Sequence, residues 1–293
     1  MTNLVIQGEE IETPDLKALA HLAHGTGIER VSDTAFRITR ADPSAKAAVA
    51  AHCARVQLDW GFVDEGRTLA DFRLLALDMD STLISIECID EIADFAGRKQ
   101  EVAAVTASAM RGEIDWPESL RRRVAALAGL DEHALERVYV ERLRLNPGAE
   151  RLIGAARRAG LKTLLVSGGF TYFTDRVRDR LGMDHAHSNV LVVEGGKLAG
   201  RVTGPLVDAA GKAGHVARLK HEMNIGRERV IAIGDGANDL AMLGEAGTSI
   251  AYHAKPVVKR KADYALDYAG LDGVLNLFPE SGSSSWAARG SGK

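Results

Sequence analysis

Cysteine is scarce in this chain: Cys53 and Cys88 are the only two in 293 residues, and they lie too far apart for a paired metal-ligating spacing. Two distant thiols build no disulfide framework, so a reducing compartment, the cytoplasm, is expected. Long apolar runs are missing too, which excludes a helix that crosses a bilayer. Met1 to Pro14 contains no basic stretch followed by an apolar core, so no secretory leader is expected. Charge of one sign is also absent. The chain has 37 Lys and Arg against 40 Asp and Glu, a net charge of −3, which provides no general attraction to nucleic acid or to a membrane surface. No internal repeat is evident. What remains, 46% apolar and 26% charged residues, is ordinary for a globular protein of one large or two medium domains.

The patterning divides the chain into three parts. Residues 1–70 read as a small α/β unit: a strand over Asn3 to Gln7, a helix over Pro14 to His24, one or two strands within Arg30 to Thr39, an Ala-rich helix over Ser44 to Gln57 and a last strand over Leu58 to Val63. Residues 71–279 form the main domain. Its core, 71–82 and 147–279, reads as a doubly wound, mainly parallel sheet of the Rossmann-like kind, because short continuous apolar runs mark strands buried on both faces. An insertion at 83–146 shows mainly helical patterns and is read as a cap. Glu194-Gly195-Gly196, flanked by strands over Asn189 to Val193 and Lys197 to Val202, signals a hairpin. Thr248 to Tyr252 and Ala262 to Leu266 are read as later core strands. The Ser- and Gly-rich tail, 280–293, is expected to be disordered.

The chemistry lies in four separated fragments. Leu74 to Leu77 ends in Asp78-Met79-Asp80-Ser81-Thr82. Residues at i and i+2 of an extended segment point the same way, and ligands of open α/β sheets bind beyond the carboxyl ends of the strands. Asp78 and Asp80 can therefore face one pocket, where one carboxyl could attack phosphorus and the other carry a proton. Thr163 to Val166 ends in Ser167-Gly168-Gly169, where glycines allow close backbone approach to an anion and the Ser167 hydroxyl can donate. Val230 to Ile233 ends in Gly234-Asp235-Gly236-Ala237-Asn238-Asp239. There Asp235 offers a hard oxygen ligand suited to Mg²⁺, Asn238 could reach a phosphate or substrate oxygen, and Asp239 could orient the metal's waters or hold a lysine. Lys212, among Ala and Gly ahead of a helix, is singled out only by its place between the serine and Asp-Asp fragments. The groups are needed together. A carboxylate about 4 Å from a phosphate dianion, at an effective dielectric of about 20, is repelled by roughly 8 kcal/mol. A divalent ion, a lysine and helix amides can offset that cost.

In this order the fragments resemble the phosphatases of the haloacid dehalogenase superfamily, and more narrowly the bacterial and archaeal phosphoserine phosphatases, from about Arg73 to Phe278. The resemblance implies a nucleophilic Asp78, an acid/base Asp80, and Mg²⁺ held by Asp78, the Asp80 backbone carbonyl and Asp235. It also implies a substrate-binding Glu87 and Arg123. These suit O-phosphoserine, whose ammonium and carboxylate an acid and a planar guanidinium would clamp. Met110 and Trp116 stand where the family lines this pocket, and Trp116 departs from the family's common phenylalanine. The front unit resembles an ACT-like regulatory domain in its order of elements. It is expected to pack, to pair copies of the chain in a homodimer, or to sense a metabolite. The function implied is Mg²⁺-dependent hydrolysis of O-phosphoserine, the last step of serine synthesis. Another small-metabolite phosphatase or phosphotransferase, or a metabolite-binding regulator with vestigial catalysis, is the alternative.

Overall fold

The structure is a computed structural model and describes residues 1–280; the tail read as disordered falls, but for its first residue, outside the described residues. The front unit runs β1 (Thr2–Gln7), α1 (Thr13–Leu22), β2 (Gly27–Ser32), β3 (Ala35–Thr39), α2 (Lys46–Val56) and β4 (Asp59–Asp64). Its sheet is wholly antiparallel, in the order β2-β3-β1-β4. The centre of β1, Leu4 to Ile6, is an unbroken apolar run because neither of its faces meets water there. Leu4 and Ile6 pack with Leu16, Leu19, Val49 and Cys53 of the two helices. Val5, pointing the other way, joins Val63 in the core of the main unit.

The main unit begins with β5 (Leu74–Leu77). The cap follows, with α3 (Cys88–Phe95), α4 (Lys99–Met110), α5 (Trp116–Ala125) and α6 (His133–Arg137). The chain then returns through α7 (Ala149–Arg158), β6 (Lys162–Phe170), α8 (Thr171–Leu181), β7 (His185–Glu194), β8 (Lys197–Thr203), α9 (Ala209–Glu222), β9 (Val230–Gly234), α10 (Leu240–Gly244), β10 (Thr248–Tyr252) and β11 (Tyr264–Leu266). The seven strands lie in the order β11-β10-β9-β5-β6-β7-β8. Every pairing is parallel except that of β7 with β8. From β5 the chain winds outward through β6 and β7, then jumps back to β9 on the opposite side. β5 is thus the topological switch point, where the crevice of such a sheet opens. Alternate residues of the central strands enter two apolar layers: Leu75, Leu77, Ile231 and Ile233 on one face, Leu74, Ala76, Val230 and Ala232 on the other.

Three boundaries differ from the sequence reading. β6 continues through Ser167, Gly168 and Gly169 to Phe170, with a register shift after Val166, so these residues belong to an irregular strand rather than following its end. β7 starts at His185, ahead of the expected Asn189, because its polar first half gains a parallel partner in β6 while its second half forms the hairpin with β8. Lys212 lies inside the first turn of α9, not before it.

The cap joins the core through two adjacent connections, tied by an Ile84–Leu145 bridge. Asn146 Nδ2 donates to the carbonyls of Thr82 (2.7 Å) and Ile84 (3.2 Å) across this neck. Ser81 takes a φ of 58°, in the left-handed region, where the chain turns out of the sheet toward the cap. Among the described residues no helix is long and apolar enough to cross a membrane.

Candidate active site

A cavity of about 480 Å³ lies between the carboxyl ends of β5, β6 and β9 and the cap helices. Its wall carries Asp78, Asp80, Glu87, Arg123, Gly168, Lys212, Asp235 and Asn238. Two further predicted residues, Ser167 and Asp239, are fully buried behind it. Chain positions from 78 to 239 thus converge because the loops after three neighbouring strands open on the same edge of the sheet.

Lys212 is the buried centre of the charge network. Its Nζ donates to Asp78 Oδ1 and to Asp239 Oδ1, both at 2.6 Å. The other oxygen of Asp239 accepts the backbone N–H groups of Asp235 (3.1 Å) and Gly236 (2.9 Å), so both oxygens of that carboxylate are engaged within the protein. One ammonium shared by two buried carboxylates leaves an excess negative charge. Burial, and after it the Asp239 carboxylate, therefore push Asp78 well above the ordinary carboxylate range against the pull of Lys212. Burial works against the Lys212 charge, but its two carboxylate partners outweigh burial and raise its pKa. Asp235 is pushed up to about 6 by burial and by Asp239, and its Oδ1 accepts from Thr82 Oγ1 at 3.0 Å.

Asp80 is held on both oxygens. Oδ1 accepts the Cys88 N–H at the start of α3 (2.9 Å), and Oδ2 accepts the Ser167 hydroxyl (2.9 Å). Ser167 Oγ in turn accepts the Gly169 N–H at 2.8 Å, so Ser167 orients Asp80 and stands off the cavity wall. A Cβ on Gly169 would lie 2.8 Å from Asp80 Oδ2, and one on Gly168 would lie 2.9 Å from the Trp116 ring. These glycines bring the strand close to the carboxyl and leave space for the indole.

The opposite wall belongs to the cap. Glu87 accepts the Ser81 hydroxyl at 2.7 Å. Loss of water in the cleft and the Asp80 charge push it up to about 7; the residue still has an exposed side, and the water there limits that rise. Arg123 is half-buried and faces Asp90, Glu87 and Asp80, yet forms no ion pair among the described residues; its Nε reaches only the Ser119 carbonyl, at 3.4 Å. Burial holds its pKa below the usual value while the three acids oppose that. A desolvated guanidinium without a carboxylate partner, next to acids, is suited to a ligand with charges of both signs.

The sequence reading attached no role to Thr82, Asp90, Asn146 or Lys255. Thr82 ends the first fragment and Asp90 lies in the cap insertion, on α3, but nothing in their spacing marks them. Lys255 reaches the cavity wall only through the loop after β10, and Asn146 acts through backbone carbonyls, which no side-chain pattern reveals.

A family model described as haloacid dehalogenase-like hydrolase matches residues 75–244, more than half of the chain. A second, described as a domain of unknown function (DUF4072), matches residues 4–49, within the front unit read as ACT-like. A phosphoserine phosphatase of Polaromonas sp. is 56% identical over 214 residues, 71% of this chain and 91% of that protein. The crystal structure of a HAD family hydrolase from Salmonella enterica serovar Typhi superposes with a TM-score of 0.87 at 32% identity, covering 96% of this chain and 100% of that one. The structure of a phospho-aspartyl intermediate analogue of phosphoserine phosphatase superposes with a TM-score of 0.66 at 37% identity, covering 71% of this chain and 99% of that one. The chain belongs to the haloacid dehalogenase-like hydrolases, within their phosphoserine phosphatase branch.

Proposed function

We propose that the chain hydrolyses O-phosphoserine to serine and inorganic phosphate, with Asp78 as nucleophile and Asp80 as acid and base. The observation that carries this reading is the pairing of two walls in one cavity: Asp78, Asp80 and Lys212 on the core side, Glu87 and Arg123 on the cap side. The Polaromonas relative, named a phosphoserine phosphatase, supports the same substrate.

The donor chemistry fits a hard divalent cation. Carboxylate oxygens of Asp78, Asp235 and Asp239 lie within 4.8 Å of one another, and Asp239 is already engaged by Lys212 and two amides. Asp78 and Asp235 remain to hold Mg²⁺, with the Asp80 backbone carbonyl. When bound, the ion would lower the raised pKa values of these carboxyls and withdraw charge from the phosphoryl oxygens as a Lewis acid.

Asp78 attacks phosphorus, forming an Asp78–phosphorus bond as the bond to the serine oxygen breaks. Asp80 gives its proton to that leaving oxygen. It then takes a proton from the water that attacks the aspartyl-phosphate, which frees phosphate and restores Asp78. Ser167 and the Cys88 N–H keep the Asp80 carboxyl aimed through both halves. Lys212 holds Asp78 in place and offsets the charge of the approaching phosphate. Arg123 pairs with the substrate carboxylate and Glu87 with its ammonium. The setting is serine biosynthesis in the cytoplasm.

The test is phosphate release from a panel of phosphomonoesters with and without Mg²⁺, together with an alcohol acceptor. The expected result is Mg²⁺-dependent release with phosphoserine preferred. A preference for an ester without an amino-acid head, or transfer to the alcohol as the main outcome, would reject the assignment.

A further inference from the structure

The irregular end of β6 loses register with β7 beside the catalytic cavity. Val166 pairs with His187 and Phe170 with Asn189, so Ser167, Gly168 and Gly169 face Ser188 alone. A bulge of this kind re-aims side chains next to a functional site, and its peptide groups need other partners than the ladder. Asn189, which is 1% exposed, supplies one. Its Nδ2 donates to the Gly168 carbonyl at 2.8 Å, and its Oδ1 accepts the Val207 N–H at 2.9 Å. These two backbone partners fix which way the amide is turned, because a carbonyl only accepts and an N–H only donates.

The Gly168–Gly169 peptide is thereby held on both sides. Its carbonyl goes to Asn189, and its N–H, that of Gly169, goes to Ser167 Oγ at 2.8 Å. That N–H occupies the acceptor side of the hydroxyl and leaves the Ser167 proton for Asp80 Oδ2 at 2.9 Å. Glycine on both sides lets a peptide turn over at little steric cost. Turned over, this one would present its carbonyl to Ser167 and compete with Asp80 for the same proton. The Asn189 bond opposes that turn.

The acceptor arm of Asn189 reaches toward the other catalytic carboxyl. Val207 leads into Asp208, whose Oδ1 accepts the Gly211 N–H at 2.8 Å and caps α9. The Asp208 carbonyl accepts the Lys212 N–H, also at 2.8 Å. One buried amide thus joins the strand that holds Asp80 to the helix whose lysine holds Asp78. Given the reading of Asp80 as acid and base, we infer that Asn189 is a positioning residue for the reaction. It fixes the Gly168–Gly169 peptide so that Ser167 donates to Asp80, and in this way aims the carboxyl that protonates the leaving group.

The experiment compares two esters on the full chain with Mg²⁺. The serine alkoxide leaves phosphorus only with a proton, whereas the nitrophenolate of p-nitrophenyl phosphate leaves without one. kcat/KM reads the steps up to departure of that group, and the ratio of its two values from one preparation does not depend on the fraction folded. Asn189→Asp keeps the acceptor for Val207 and loses the donor to Gly168. Asn189→Ser, which buries no charge, is too short to reach the Gly168 carbonyl. Each is expected to lower kcat/KM for phosphoserine by on the order of 10-fold, part of the roughly 10²- to 10⁴-fold that a placed acid contributes, and for the nitrophenyl ester by about twofold at most. Asp80→Asn and Ser167→Ala should skew the two esters in the same direction. Adding Asn189→Ser to Ser167→Ala should cost phosphoserine turnover little more than Ser167→Ala alone, because the two residues act in series. An unchanged ratio in both Asn189 variants, beside a changed one in Asp80→Asn, overturns the positioning role. Losses that multiply in the double variant overturn the route through Ser167. An unchanged ratio in Asp80→Asn itself rejects Asp80 as the acid, and the role of Asn189 falls with it.

Discussion

At the residue scale the site depends on carboxylates made unequal by their surroundings. Asp78 shares one lysine with a second buried carboxylate, whereas Asp80 is clamped by a hydroxyl and a backbone N–H. That difference suits one to attack and the other to exchange protons. Asp78→Asn replaces a nucleophile and metal ligand with an amide that serves as neither. It should lower phosphate release by on the order of 10⁴-fold or more, the scale seen when a nucleophile is removed. The variant should keep its fold, because the amide can still accept from Lys212. Measured release above a few per cent of wild type would exclude covalent catalysis through Asp78. Asp78, Asp80 and Asp235 were legible because each follows an apolar run at a strand end. Lys212 was legible only by order, since nothing around it shows that it is 1% exposed between two carboxylates.

At the scale of elements, α5 carries substrate selection. Arg123 lies on the cavity side of that helix, while its neighbour Arg122 is exposed and paired with Glu118. Arg123→Ala should remove one charge-assisted bond to a substrate carboxylate, ~1.5–3 kcal/mol, or roughly 10- to 150-fold in kcat/KM. The loss should be far smaller for a phosphate ester that lacks a carboxylate. Equal losses on both substrates would make Arg123 a phosphate-binding or structural group. In the front unit, α2 holds Cys53 fully buried. Burial pushes its thiol from an ordinary 9.0 to about 12. A raised folded-state pKa means the contribution of the neutral thiol is intact below pH 9 and is lost as pH rises from 9 toward 12. Denaturant midpoints followed over that window should therefore fall more steeply for the wild type than for Cys53→Ala. Parallel curves would show that the thiol does not carry this dependence. Helix and strand identities were legible from period, but the length of β6 and the start of β7 were not. Their extra residues are mostly polar or glycine and become strand only where a neighbouring strand supplies the hydrogen bonds.

At the scale of the molecule, the front unit is docked through specific groups. The buried Asp59 carboxylate on β4 accepts three backbone N–H groups of the core, from Asp267 (2.7 Å), Tyr268 (3.0 Å) and Ala269 (2.8 Å). The Tyr264 hydroxyl donates back to the Phe62 carbonyl at 2.9 Å, and Val5 and Val63 complete the main apolar core. None of the phosphate-handling groups comes from residues 1–65. A chain starting at Gly66 is expected to retain metal-dependent phosphatase chemistry at a lowered Tm, because it exposes Tyr264, Leu277 and three N–H groups that the front unit covers. Calorimetry and a phosphoserine assay on the purified fragment check this. A cooperatively folded fragment without activity would mean that the front unit completes the site.

The sequence by itself determined the parallel core, the helical insertion, and the identity of the acids at the strand ends, since buried strands need continuous apolar runs and their chemistry collects where those runs stop. Only the tertiary structure decided that Lys212 is the shared partner of Asp78 and Asp239, that Ser167 holds Asp80 from behind the wall, and that Arg123 has no carboxylate partner among the described residues. It also decided that the buried Asn189 joins β6 to the segment that leads into α9. Periodicity records which face of an element avoids water. It carries no record of which distant element will supply that face, nor of the space left between two surfaces that meet.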